Sequence, residues 1–342
     1  MDCVFSLLRR CAVLAVSYAA LDFVMCDRAQ TVAAERAAPS AITPLPEPVA
    51  SFGAAVADDW LYVYSGHIGK AHAHSKKNLS QKFQRLRLNS AGDWESLPAG
   101  PGLQSVALVS YGDGIYRVGG LSALNEPGET EQLVSVTDFS RYDPRTKKWT
   151  ALQPLPEGRS SHDAVVVDGK LYVLGGWNLG KEETWHKHGL VFDLTKADAK
   201  WERLPEQPFQ RRALAVTVRG DRIYAVGGMN SDGEPSTDVH YFDVKSATWT
   251  QGPNLPGKDM AGFGTSAVGI EGKLFATTFD GNVYQLSEDG ASWNSIGKLQ
   301  EPRFMHRVLP GVGGSLVVVG GASHKKGHLD SIESFPLVVE RP

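Results

Sequence analysis

The histidines of this 342-residue chain are the side chains best suited to bind a metal ion or to transfer a proton. His67, His72 and His74 lie in one polar stretch. The His72-x-His74 spacing places two imidazoles on the same side of an extended segment, and neutral imidazole is a ligand for zinc and copper. The sequence contains no HExxH or CxxC motif, so the pattern favours loop histidines that form hydrogen bonds, and we expect neither a metal nor a cofactor.

Carboxylates and arginines in other polar stretches could serve acid–base chemistry or bind an anion. Glu182, Glu183 and Glu234 are the candidate acid–base residues, because such a group works beside a cation that holds the substrate. Arg159, Arg212 and Arg303 fall at similar positions of an internal repeat. They are predicted either to pair with neighbouring repeats or to bind a carboxylate.

Tryptophans fall into two groups. One group recurs at the period of the repeat and is predicted to pack between repeats; its members are Trp94, Trp149, Trp201, Trp249 and Trp293. Trp177 and Trp185 lie off this period, within one loop. A loop tryptophan can stack on a sugar or can pack at a rim, and both interpretations remain open.

Cysteines are confined to the first 26 residues, at Cys3, Cys11 and Cys26. The rest of the chain therefore contains no thiol nucleophile, no cysteine-ligated metal site and no disulfide scaffold. The formal net charge of −3, from 35 basic and 38 acidic residues, argues against a nucleic-acid partner, which requires a basic surplus.

The N-terminus resembles an export signal. Arg9-Arg10 precedes an apolar run from Cys11 to Ala20, which is short for a membrane span. We predict a secretory signal peptide within residues 1–34 and a linker at 35–40, hence a periplasmic or extracellular monomer with no membrane span after cleavage. The alternative is an uncleaved N-terminal anchor.

An internal repeat organises the sequence after residue 40. Each copy reads as strand, tight turn, strand and diglycine, as in SSHDAVVVDGKLYVLGGW at residues 160–177. The second glycine, or its counterpart, recurs at Gly66, Gly120, Gly176, Gly228, Thr278 and Gly321. An aromatic residue then precedes a tryptophan across a polar turn, as in YDPRTKKW at 142–149. Each unit therefore supplies about four strands, and there are six units.

These diglycines and the aromatic-to-tryptophan spacing resemble the Kelch-repeat family. The resemblance implies an all-β, six-bladed β-propeller over residues 41–342. Residues 41–47, AITPLPE, match the end of the second repeat, ALQPLPE at 151–157. We therefore predict that an N-terminal strand completes blade six and closes the ring, which removes an open sheet edge. His67 would then approach His306 or His324.

In such a propeller, the loops between second and third strands share one face with the segments that connect blades. We call this the loop face. Its candidate binding residues are His67, His72, Arg159, His162, Trp177, Trp185, Arg212, Asn230, Arg303, His306 and His324.

Two functions remain open. The first is a non-enzymatic scaffold in the cell envelope that binds a protein, peptide or glycan on the loop face. The second is an N-acetylneuraminate mutarotase, because bacterial sialic acid mutarotases are exported six-bladed Kelch propellers. The loop here that corresponds to their Arg- and Glu-bearing loop contains Glu234 but no arginine, and their long insertion is absent. The copper–radical chemistry of galactose oxidase is excluded, because it needs a cysteine in the propeller.

Overall fold

The computed structural model describes residues 42–180 and 182–337; the predicted signal peptide and linker lie outside these ranges. Six antiparallel sheets, the blades, follow one another along the chain. Five have four strands in sequential order, and the sixth has three described strands. This is a six-bladed β-propeller, which confirms the predicted fold class.

Strands with the same place in each blade share a role. The inner strands line the central channel and are Gly53–Ala57, Ala107–Tyr111, Ser160–Val167, Ala215–Arg219, Ser266–Ile270 and Arg307–Pro310. The second strands are Trp60–Tyr64, Gly114–Val118, Lys170–Asn178, Arg222–Val226, Lys273–Thr277 and Ser315–Val319. The third strands are Phe83–Arg87, Phe139–Asp143, His188–Asp193, Val239–Asp243, Asn282–Leu286 and Ile332–Pro336. The outer strands are Glu95–Leu97, Lys148–Ala151, Glu202–Glu206, Thr248–Gln251 and Trp293–Lys298.

Short strand pairs extend some blades at the loop face. Leu121–Ala123 pairs with Leu133–Ser135, and Ala322–Ser323 pairs with Gly327–His328. Thr184–Trp185 pairs with the end of the second strand of blade three, and Arg211–Arg212 pairs with Met229–Asn230. The described helical segments are single 3-10 turns at Lys76–Asn78, Asp259–Gly262 and Val312–Gly314.

Hairpins join the inner and second strands at the face opposite the loop face. Asp168 and Gly169 take φ of 47° and 74° in the two-residue turn of blade three. Such turns favour residues that tolerate positive φ, as the sequence indicated. Buried side chains of the second and third strands then pack against the next blade, as Val118 and Phe139 of blade two do with Val173 of blade three.

The periodic tryptophans join each outer strand to the preceding blade. In each case the indole N–H donates to a carbonyl in the turn that ends the preceding blade, as Trp201 Nε1 does to Gln153 O at 3.0 Å. The acceptors for the other four lie in Pro44, Pro98, Pro205 and Pro253. The sequence predicted the packing role, and the structure adds this hydrogen bond.

The N-terminal segment closes the ring against blade six. The Leu45 N–H donates to Asp330 O at 2.8 Å, just as Leu155 donates to Thr137 O at 2.9 Å in blade two. Trp94 Nε1 of blade one donates to Pro44 O at 2.7 Å, which repeats the tryptophan bond. Residues 42–47 therefore take the place of the outer turn of blade six. The residues before them, where the other blades have their outer strand, lie outside the described ranges.

Candidate functional site

A ring of six residues surrounds the mouth of the central channel on the loop face. Each lies at or just before the start of an inner strand and has φ between 51° and 58°; they are Ser51, Ser105, Ser161, Ala213, Gly264 and Met305. We call this ring the channel mouth. At five blade junctions the N–H of one member donates to the carbonyl of another, for example Ser161 to Ser105 O at 3.1 Å. This backbone ring is fixed by repeat geometry and leaves the side chains free to vary.

Two charged residues close the channel beneath the mouth. Arg307 of blade six reaches Asp163 of blade three, on the opposite side of the ring, at 2.8 Å. Arg307 also donates to Phe52 O at 3.3 Å and Val106 O at 3.4 Å, and the Val216 N–H donates to Asp163 at 3.0 Å. The pair therefore links five of the six blades, and Arg307 lines a depression of about 430 Å³, including its opening to solvent.

Two predicted binding residues, His162 and His306, lie in the wall of this depression. Both are buried, and burial lowers the pKa of each imidazole well below its usual value, so both are neutral at physiological pH. His306 Nε2 lies 2.8 Å from Thr277 Oγ1, whereas neither ring nitrogen of His162 has a partner among the described residues. His162 is therefore an unsatisfied polar group at the base of the mouth.

An aromatic patch lies beside the channel mouth between blades three and four. Trp177 and Trp185 are neighbours on paired strands, with ring centroids 5.5 Å apart. The Arg212 guanidinium lies 4.3 Å from the Trp177 ring, and its Nη2 lies 3.0 Å from Met229 Sδ. These four residues, Trp177, Trp185, Arg212 and Met229, are the aromatic patch. Arg212 directly precedes Ala213 of the channel mouth, so the two surfaces are continuous.

Arg212 has hydrogen-bonding capacity to spare. Its Nε has no partner among the described residues, and it forms no ion pair with a described carboxylate. The charge of Glu183 raises the pKa of Arg212 against the larger lowering by burial, and Glu183 itself accepts a hydrogen bond from the Trp185 indole N–H at 2.9 Å. A half-buried arginine stacked on tryptophan in this way can receive a planar carboxylate from a ligand.

The structure corrects the interpretation of the other arginines. Arg159 and Arg303 are buried and donate to carbonyls of their own blades, such as His188 O at 2.9 Å and Ser331 O at 3.1 Å. The equivalent residue in blade four is Arg211, which donates to Gly227 O at 2.7 Å, and not Arg212. These three buried arginines precede the inner strands of blades three, four and six. Each joins strands within its own blade, and none of them reaches the channel mouth.

The structure gives His67 different histidine neighbours from the predicted His306 and His324. His67 Nδ1 lies 3.2 Å from His328 Nε2, and its ring centroid lies 5.0 Å from that of His74. Burial lowers the pKa of His67 to about 4, with a smaller contribution in the same direction from the neighbouring histidines, so His67 is neutral at physiological pH. The prediction that His72 lies on an extended segment is wrong, because its φ of 60° places it in a turn, where it is exposed.

The remaining candidates are scattered over loops. Glu182, Glu183, Glu234 and His324 are exposed, and Asn230 is half-buried beside the aromatic patch at Met229. Among the described residues no group of three or more His, Cys, Asp or Glu is arranged to hold a metal ion. In the same ranges no helix is long and apolar enough to cross a membrane.

Sequence reasoning missed the Arg307–Asp163 pair and the channel mouth. The signal that was available is the presence of a charged residue in largely apolar inner strands, at the second residue of HDAVVV and the first of RVLP. The identity of the partner could not be inferred, because opposite blades become neighbours only through closure of the ring.

The six blades, and the diglycines that recur at equivalent positions in them, show that this chain is a β-propeller built from sequence repeats. Residues 105–278, about half of the chain, match the family model described as the KLHDC2/KLHL20/DRC7 Kelch-repeats domain. The chain belongs to the Kelch-repeat family, which confirms the resemblance seen in the sequence.

Comparison with individual proteins agrees with this assignment. The chain is 30% identical to Kelch-like protein terF of Aspergillus terreus over 171 residues, which are 47% of this chain and 36% of that protein. It is 27% identical to Kelch-like protein 35 of Mus musculus over 69% of this chain and 34% of that protein. The chain thus spans about a third of the length of these relatives. The solved structure of YjhT superposes with a TM-score of 0.72 at 19% identity, over 88% of this chain and 99% of that one, which shows the shared fold.

Proposed function

We propose that this propeller is a non-enzymatic scaffold that binds a peptide segment of a partner protein on its loop face, across the aromatic patch and the channel mouth. The observation that carries the proposal is Arg212, a half-buried guanidinium stacked 4.3 Å from the Trp177 ring that forms no ion pair with a described carboxylate. Tryptophan and arginine are the residue types that contribute most binding energy at protein interfaces.

Neighbouring groups fit an extended ligand. Trp177 and Trp185 offer apolar surface, and their strand pairing fixes their positions without a ligand. His162 lines the depression at the channel mouth next to Ser161 and adds a polar ring to its wall. A rigid platform of this kind loses little entropy on binding. The patch therefore favours a ligand with one carboxylate, one apolar group and a hydrogen-bonding backbone.

The proposal includes a location in the cell envelope. Its support is the predicted signal peptide at residues 1–34, with Arg9-Arg10 before an apolar run. N-terminal sequencing of the protein recovered from an envelope fraction tests this part separately. A mature N-terminus near residue 35 is expected, and an intact Met1 in the cytoplasm would contradict it.

The binding test uses peptides selected on the wild-type propeller from a random library, with affinity then measured by calorimetry. Arg212→Gln should weaken binding about tenfold or more, because it removes a hydrogen-bonded charge at the centre of the patch. Arg222→Gln is the matched control: Arg222 stacks 4.7 Å from the Tyr241 ring beside the hairpin turn on the opposite face. Equal affinity for the two variants, or no selectable peptide, would reject the proposal.

A sialic acid mutarotase is the second candidate, and one observation favours it. Glu183 lies near enough to Arg212 to stabilise its charge, so a carboxylate and a cation that could bind a sugar acid share one loop region. NMR exchange of sialic acid anomers tests it, with Glu183→Gln and Glu234→Gln as variants. Acceleration by the wild type that is lost in either variant would favour the enzyme over the scaffold.

A further inference from the structure

A pocket opens on blade three beside the buried Arg159. Its volume is about 740 Å³ including its opening to solvent. The side chains that matter for its chemistry are Arg159, Leu190, Arg203, Lys187, His186 and Glu157. Arg159 is only 3% exposed, and its Nε has no partner among the described residues. A buried cation thus lines an open pocket.

The arginines equivalent to Arg159 in two other blades each have a polar partner on the third strand. In blade six, Arg303 lies 3.7 Å from Glu333 Oε2, a carboxylate of the third strand. In blade four, Arg211 Nη2 lies 3.2 Å from His240 Nδ1, also on the third strand. The two partners occupy the same register, because Glu333 pairs with Val318 and His240 pairs with Ala225, each two residues before a diglycine.

Blade three has Leu190 at this register position. Leu190 pairs with Val173, again two residues before the diglycine, and it is buried in the core of the blade. The Arg159 guanidinium retains only backbone acceptors, His188 O at 2.9 Å and Val173 O at 3.5 Å. The polar third-strand partner that completes the arrangement in blades four and six is therefore absent from blade three.

Charge in and around the pocket remains positive. Glu157 is the one acidic residue among the described lining residues, and it accepts a hydrogen bond from Arg203 Nη2 at 3.1 Å and lies 3.8 Å from His186 Nδ1. Burial lowers the pKa of Arg159 to about 9, so the side chain is still a cation at neutral pH. Lys187 adds a further positive charge at the rim. An uncompensated buried cation is costly, and a bound anion would offset that cost.

We infer that the blade-three pocket binds the carboxylate group of an external ligand, which takes the part that Glu333 plays for Arg303 in blade six. Arg159 supplies the buried cation and Arg203 the exposed one. The carboxylate belongs either to a small organic acid or to an acidic side chain of a bound protein. Trp185 lines both this pocket and the aromatic patch, but Arg159 and Arg203 take no part in the patch, so the inference can fail separately from the proposed function.

The test titrates the full chain with succinate and follows pocket resonances that lie outside the aromatic patch, such as the backbone amides of Lys187 and Arg203, by NMR at constant ionic strength. Saturable shifts are expected for the wild type. Leu190→Glu supplies the missing carboxylate within the chain and should abolish binding, whereas Leu190→Met should retain it. Because Leu190 is a core residue, Arg203→Gln at the exposed rim is the second variant, and it should weaken binding severalfold.

A second arm identifies the source of the carboxylate. A short peptide with one glutamate is compared with the same peptide carrying glutamine. Shifts with succinate show that a free acid suffices, and shifts only with the glutamate peptide assign the site to a partner's side chain. The inference is overturned if neither ligand binds the wild type, or if Arg203→Gln and a folded Leu190→Glu bind as the wild type does.

Discussion

Removal of Asp163 should destabilise the propeller more than loss of any surface ion pair. Asp163 is 9% exposed and Arg307 21% exposed at their side chains, and they meet across the channel at 2.8 Å. Removal of one member of a buried pair costs about 3–5 kcal/mol, and the partial exposure of Arg307 favours the lower end. The Val216 N–H also loses its acceptor, which adds about 1 kcal/mol. We therefore expect Asp163→Ala to cost about 4 kcal/mol.

Thermal unfolding provides the assay. An unfolding entropy of about 2.1 cal/mol/K per residue, over about 300 residues, converts this loss into a fall in Tm of about 6 °C. The control is Asp113→Ala, which breaks exposed pairs with Arg141 and Arg145 and should cost less than about 1 kcal/mol. The double variant Asp163→Leu with Arg307→Met should recover most of the loss, because it leaves no buried charge. A fall in Tm no larger than that of Asp113→Ala would refute the reasoning.

Three further changes test the fold. Gly175→Ala should lower the free energy of unfolding by about 3 kcal/mol, because φ is 66° and a Cβ would lie 2.5 Å from a neighbouring leucine. Gly233→Ala, at φ 87° in open space, should lower it by about 1 kcal/mol. Urea unfolding compares the two variants. Trp201→Phe should lose about 1 kcal/mol with its bond to Gln153 O, measured in the same way, and an unchanged midpoint would contradict that role. The folded state keeps His67 neutral down to about pH 4, while the unfolded state takes up the proton near pH 6.5, so stability should fall as pH decreases through this window. His67→Gln should flatten that part of the pH profile, and an unaltered profile would count against it.

The fold could be predicted from the sequence because its determinants are local and repeated. Diglycines such as Gly175-Gly176 and the spacing from Tyr142 to Trp149 recur in register, and each copy carries the turn and packing residues of one blade. Ring closure was predictable for the same reason, since residues 41–47 repeat the end of another unit.

The candidate site was only partly predictable. Trp177 and Trp185 stood out because they depart from the repeat, and the structure places them together with Arg212. Arg303 donates to its own backbone, and Arg159 lines the blade-three pocket, away from the channel mouth. A repeated arginine looks the same in sequence in either role. Contacts such as Arg307 with Asp163 depend on which blades face each other, which no local pattern records.

Photocrosslinking at the aromatic patch tests the central claim most directly. A photoreactive phenylalanine analogue replaces Trp185, and in a matched variant it replaces Trp60, which lies by the hairpin turn of the opposite face with Arg85 stacked 4.1 Å from its ring. With the selected peptide, the account predicts a crosslink from position 185 and none from position 60. Equal crosslinking from both positions, or a crosslink from position 60 alone, would contradict a binding site on the loop face.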